Sequence, residues 1–131
     1  MQMNYDFLDN FIFPNKAITL KNRVVMAPTT LRASFEDGSV TTDELAYYQL
    51  RSKGVGLVIA EAADVNPLGR GWEGAISIAD DDKIPGLRRL ASAIQSGGAK
   101  AVLQLVAAGR QSTTTILRGE QPVSASAQAY P

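Results

Sequence analysis

The chain has 131 residues, the size of one domain, and its 45% apolar and 20% charged residues are those of an ordinary globular protein. Its 13 basic and 13 acidic residues cancel with no basic block or stripe, so nucleic acid and anionic membrane surfaces are poor partners. Neither cysteine nor histidine occurs, which excludes disulfides, thiolate metal sites, cysteine nucleophiles and any serine–histidine triad.

Residues 1–10 are polar and acidic and do not read as a signal peptide. No apolar run approaches the roughly 20 residues that span a bilayer, so a cytoplasmic protein is expected. Two short apolar runs, Phe11-Ile12-Phe13 and Ala17-Ile18-Thr19-Leu20, flank Pro14-Asn15-Lys16 and predict a β-hairpin over 11–20.

Val24-Val25-Met26 is a continuous apolar run of the kind buried on both faces of a parallel sheet, and Pro28 stops it. Thr29 and Thr30 then present hydroxyls beyond the carboxyl end of the strand, where α/β folds bind ligands. Glu36-Asp37-Gly38-Ser39 is a turn. A helix is predicted over 42–53, entered through Thr41 and Glu44 at capping-box spacing and stopped by Gly54. A second buried strand is expected over 55–60, ending in Glu61-Ala62-Ala63, followed by a long loop over 64–74. Gly69-Arg70-Gly71 has neither P-loop nor dinucleotide spacing and reads as a flexible loop.

Leu87, Leu90, Ala91 and Ile94 recur at helical spacing and predict a helix over 85–96, with Pro85 in its first turn and Gly97-Gly98 at its end. The preceding Asp80-Asp81-Asp82 suits the positive end of the helix dipole; a metal site is the sharper alternative. The third strand is expected over 101–105, left through Ala108-Gly109-Arg110, where Arg110 would meet an anion or a carboxylate. No element is evident over 111–131.

This strand–helix alternation favours parallel strands with right-handed crossovers. Three strand ends then converge, offering 27–30, Glu61-Ala62 and Gln104. Among these only Glu61 ionises readily, so the set is a poor acid–base machine and a reasonable cofactor cradle. Gln104, with a donor and an acceptor on one side chain, suits a ring edge carrying both, or else neighbouring backbone.

Several of these motifs, in this order, resemble the amino-terminal third of the old yellow enzyme family of FMN-dependent NADH:flavin oxidoreductases and ene-reductases. The resemblance rests on the run from Leu20 to Pro28, Tyr47-Tyr48 with Arg51 and Gly54, and the run from Gly56 to Ala62. It continues through the run from Asn66 to Gly71, Leu103-Gln104-Leu105 with Ala108-Gly109-Arg110, and Pro122-Val123 with Ser124-Ala125-Ser126. It implies the first three βα units of a (β/α)8 TIM barrel with an amino-terminal β-hairpin, the barrel being incomplete in this chain. Residues 1–131 would be the amino-terminal portion of a single FMN-binding domain.

By the same resemblance Ala27, Pro28, Thr29, Thr30, Ala62 and Gln104 would contact FMN, with Thr30 tuning the flavin, Gln104 bonding its pyrimidine end and no metal involved. The implied reaction passes hydride from NADH or NADPH through FMN to an activated alkene or a similar small-molecule acceptor. The chain departs from the family at Ala107, where many members have histidine, and near Arg32, where some carry an active-site tyrosine. The family's substrate-anchoring pair, proton-donating tyrosine and phosphate-binding residues belong to later strands. The 131 residues alone are therefore expected to be inactive. The partner expected is the remainder of the barrel or an oligomeric neighbour; a non-catalytic partial-barrel module that assembles with another chain is the alternative. Val24, Val58 and Val102, or their neighbours, are expected to face an interior that lacks its opposite wall.

Overall fold

A computed structural model of the chain describes residues 5–15, 17–128 and 131. Strands β1 (Phe11–Ile12) and β2 (Thr19–Leu20) pair antiparallel, with Phe11 opposite Leu20. The Phe13 N–H donates to the Ile18 carbonyl at 3.0 Å and closes the predicted hairpin; Lys16 lies outside the described residues. Phe11, Phe13 and Leu20 line one apolar pocket with Val25 and Leu57, so the ribbon covers the amino-terminal ends of the main sheet.

That sheet has three parallel strands in the order β3 (Val25–Met26), β4 (Leu57–Asp64), β5 (Lys100–Val106). Helices α1 (Thr42–Arg51) and α2 (Ile84–Ser96) are the crossovers. The capping box forms as its spacing requires. The Thr41 hydroxyl accepts from the Glu44 N–H, and the Glu44 carboxylate accepts from the Thr41 N–H at 2.8 Å. Leu90 and Ile94 of α2 are buried with Tyr48 of α1 and Val58 and Ala60 of β4 in one core. Each large apolar side chain so buried contributes about 1.5–3 kcal/mol.

Several boundaries move. Helix α1 stops at Arg51 rather than Lys53, and α2 opens at Ile84, one residue earlier than expected. Strand β4 runs on to Asp64 through Glu61-Ala62-Ala63, because its ladder with β5 continues to the Asp64–Val106 pair. The third strand runs over Lys100–Val106. Val58 does not face the open interior. It is fully buried against the helices, since period-2 alternation puts Leu57 and Ile59 on the other face. Val25 (46% exposed) and Val102 (47%) line that open face.

Gly69-Arg70-Gly71 is not a loose loop. A Cβ on Gly71 would come within 2.8 Å of the Ala108 Cβ, so glycine lets this turn pack on the exit of β5. Arg70 anchors it by pairing with buried Asp64 at 3.3 Å and donating to the Glu36 carbonyl at 2.6 Å. Among its described residues the tail adds only short turns; Ala129 and Tyr130 lie outside them.

Candidate functional site

The six residues singled out from sequence come to one end of the sheet. Residues 27–30 leave the carboxyl end of β3, and Pro28, with no N–H, cannot extend the ladder. Ala62 of β4 and Gln104 of β5 are direct register partners. The β3–β4 ladder ends at the Met26–Val58 pair, and residues 27–30 run on beyond it at the same end of the sheet. Ala27, Thr29 and Gln104 are exposed, Pro28 and Thr30 half-buried, and Ala62 buried.

Among the described residues, the hydroxyls of Thr29 and Thr30 and the amide of Gln104 take part in no hydrogen bond, so the bonding of Gln104 to neighbouring backbone does not occur. This is a donor and acceptor set with small neighbours and no charge. It fits one edge of a heteroaromatic ring that itself carries donors and acceptors, as a flavin does. It contains no cation and thus no grip on a phosphate.

Behind this edge lies a residue whose weight the sequence does not reveal. Glu61 is the extra residue of a β-bulge: Ala60 pairs with Leu103 and Ala62 with Gln104, leaving Glu61 unopposed. Its N–H, lost to the ladder, donates to the Tyr48 hydroxyl at 2.8 Å. Its Oε2 accepts from the Leu31 N–H at 2.8 Å. Its Oε1 is buried without a partner. Burial pushes the Glu61 carboxyl up to about 7 from 4.5; the Leu31 N–H opposes this, the bond to and charge of Glu44 add to it, and the Arg32 N–H opposes it again. Burial likewise raises Tyr48 well above the ordinary phenol range.

The other candidates resolve into structure. Asp81–Lys83 forms a 3-10 turn leading into α2, and Lys83 pairs with Asp82 and Asp37 at 3.0 Å each. The Ser39 N–H, the Ser39 hydroxyl and Lys83 hold Asp37 down at about 2. No cluster of acidic residues among the described ones has the geometry of a metal site. Arg110 is exposed in a 3-10 turn at Gly109–Gln111. Arg32, left-handed at φ 57°, turns the chain just after the site and donates to the Glu73 carbonyl at 3.3 Å. A cavity of about 280 Å³ lies between Asp64, Arg70, Ser77 and Lys83, but its arginines and lysine are already paired.

Parallel βα units, a hairpin over the amino-terminal strand ends and uncharged polar residues at the carboxyl ends are the features of the opening part of a (β/α)8 barrel. The chain belongs to the NADH:flavin oxidoreductase / NADH oxidase family, whose sequence profile matches residues 13–130. It is 44% identical over 119 residues to NADH:acrylate oxidoreductase of Vibrio harveyi, covering 91% of this chain and 12% of that one. It is 40% identical over 131 residues to NADH:fumarate oxidoreductase of Klebsiella pneumoniae, covering 100% of this chain and 14% of the relative. The old yellow enzyme homologue of Zymomonas mobilis superposes with a TM-score of 0.86 at 31% identity, over 97% of this chain and 35% of that one. The chain thus spans about a third or less of the proteins it resembles. Its fold is the first three βα units of a TIM barrel, with no closed barrel within the chain. No helix among the described residues is long and apolar enough to cross a membrane.

Proposed function

We propose that residues 1–131 are the amino-terminal portion of an FMN-binding barrel domain and supply half of the cradle for the flavin ring of an NAD(P)H-dependent oxidoreductase. The observation that carries this reading is the unbonded Gln104 amide beside buried Ala62, at the same end of the sheet as the unbonded hydroxyls of Thr29 and Thr30, which follow β3 on the other side of β4. In that role Gln104 donates to and accepts from the pyrimidine end of the ring. Ala62 leaves room for that end, Ala27, Pro28 and Thr29 line the ring and keep water off it, and Thr30 sets a hydroxyl near its reactive edge. FMN bound there supplies hydride transfer from NADH or NADPH to an activated alkene or a similar small-molecule acceptor. The phosphate grip and the substrate-anchoring groups come from the remainder of the barrel or an oligomeric partner.

The test is Gln104→Leu in the protein with its barrel complete, read by fluorescence titration with FMN and by the flavin potential. Loss of the amide weakens flavin binding about tenfold, because a buried ring edge loses its partner. Unchanged affinity and potential refute the assignment.

A second reading, a non-catalytic module that completes its sheet with another chain, is favoured by the exposed Val25, Val102 and Leu105. An intact mass together with a flavin absorption scan separates the two. Purified protein of full barrel mass, or a co-purifying fragment, with a flavin spectrum supports the enzyme; a flavin-free assembly supports the module.

A further inference from the structure

The β3–β4 ladder ends at the Met26–Val58 pair, so residues 27–31 run past it before the site is complete. Among the described residues, the Leu31 N–H on Glu61 Oε2 ties them to the sheet. The bulge makes this bond possible. Unbroken alternation would send Glu61 to the face opposite Ala60; with the extra residue its N–H meets Tyr48 of α1 and its carboxyl reaches the carboxyl of Glu44.

Both glutamates are fully buried, and among the described residues no lysine or arginine pairs with either. The titratable groups facing Glu61 are Glu44 and Tyr48, both from α1, while the segment after β3 presents only backbone N–H groups. The two carboxyls are unequally served. Glu44 Oε1 accepts from the Ser34 hydroxyl at 2.7 Å, and its Oε2 accepts from the Thr41 N–H at 2.8 Å and the Thr41 hydroxyl at 3.2 Å. The Glu61 carboxyl has the Leu31 N–H on Oε2, with the Arg32 N–H acting on it more weakly, and Oε1 is buried without a hydrogen-bond partner. Two buried carboxylates in contact repel, and a bare carboxylate oxygen costs its full desolvation. One proton on Glu61 Oε1, donated to Glu44, removes both costs.

We propose that Glu61 carries the proton of a Glu61–Glu44 carboxyl pair and, as a neutral acid, is the positioning residue that holds the Leu31 amide and with it the edge formed by residues 27–30. The functional half of this inference rests on the proposed flavin cradle; the protonation and the clamp do not. Burial and Glu44 act in the same direction, raising the Glu61 carboxyl to about 7. Glutamine at 61 preserves the arrangement, since its oxygen accepts from Leu31 and its amide donates to Glu44. Alanine abolishes it.

The test is carried out on the protein with its barrel complete, by carbon NMR titration of the glutamate carboxyls and by hydrogen exchange at the Leu31 amide. Glu61 titrates near 7 in the unsubstituted protein. In Glu44→Gln it falls toward 4.5, because an amide now donates to it. The Leu31 amide exchanges about tenfold faster in Glu61→Ala and at the original rate in Glu61→Gln, with FMN affinity about tenfold lower in the first and unchanged in the second. A Glu61 that titrates at the ordinary carboxylate value, or one unmoved by Glu44→Gln, overturns the shared proton. Leu31 exchange that speeds equally in Glu61→Gln and Glu61→Ala overturns the clamp. If Glu61→Ala does not fold, faster exchange at Leu31 in Glu61→Gln alone is sufficient to overturn it, and retained protection supports it. Failure of the unsubstituted protein to bind FMN would sink the flavin reading while leaving both of these readouts decisive.

Discussion

Replacing Lys21 by methionine removes one ammonium group and unfastens two helices. The Lys21 Nζ donates to the carbonyls of Ser52 at 3.0 Å and Lys53 at 2.7 Å, at the end of α1, and to the carbonyl of Gly97 at 2.5 Å, at the end of α2. These are orphan carbonyls at the negative ends of two helix dipoles, and a cation satisfies them best. The bonds to Ser52 and Gly97 are partly buried; that to Lys53 is exposed and exchanges readily with water.

Taking about 1.5 kcal/mol for each shielded bond to a charged donor, the loss is about 1.5 kcal/mol at each helix end and about 3 kcal/mol in all. A separate dipole contribution is not added, because those carbonyls are the dipole's negative end. Methionine keeps the apolar stem, which isolates the lost charge. Native-state hydrogen exchange reads both ends in one experiment. The Ser52 N–H, bonded to the Tyr48 carbonyl, and the Gly97 and Gly98 N–H groups, bonded to Ile94 and Gln95, should each exchange about tenfold faster. A change confined to one helix, or none, refutes the view that Lys21 couples the two ends.

Tyr48→Phe leaves the bulged Glu61 N–H buried without an acceptor and should cost about 1–3 kcal/mol in urea denaturation; a neutral result would mean the bulge finds another acceptor. Glu61 holds its proton in the folded state up to about 7 but releases it near 4.5 when unfolded. Between those values the folded state binds more protons, so this group's contribution to stability is complete below 4.5 and declines as pH rises through 7. The fall amounts to at most about 3 kcal/mol, and Glu61→Gln should flatten that part of the pH–stability curve. Residues 1–131 by themselves leave two open sheet edges and expose Val25, Val102 and Leu105, so sedimentation with an FMN titration should find association or poor folding. A cooperative, compact monomer binding FMN at micromolar levels would refute that expectation.

Much of the architecture is written locally. The capping box at Thr41 and Glu44, the period of Leu87, Leu90 and Ile94, and the apolar runs at Val24, Val58 and Val102 each concern residues a few positions apart, and such signals survive in a linear chain. Alternation of these elements was enough for parallel strands, and parallel strands for the convergence of residues 27–30, Ala62 and Gln104.

Tertiary structure alone decided three other matters. Lys21 meets Gly97 only because both crossovers return to the same end of the sheet. Val58 faces the helices, a choice between two sides that a short apolar run does not encode. Glu61 becomes an inward carboxyl because β4 carries one residue more than β5 at that point. A bulge is a property of two paired strands, and no spacing within one of them records it. Glu44 accordingly has two roles, as the first-turn cap that its spacing announces and as the partner of a carboxyl that chain folding brings to it.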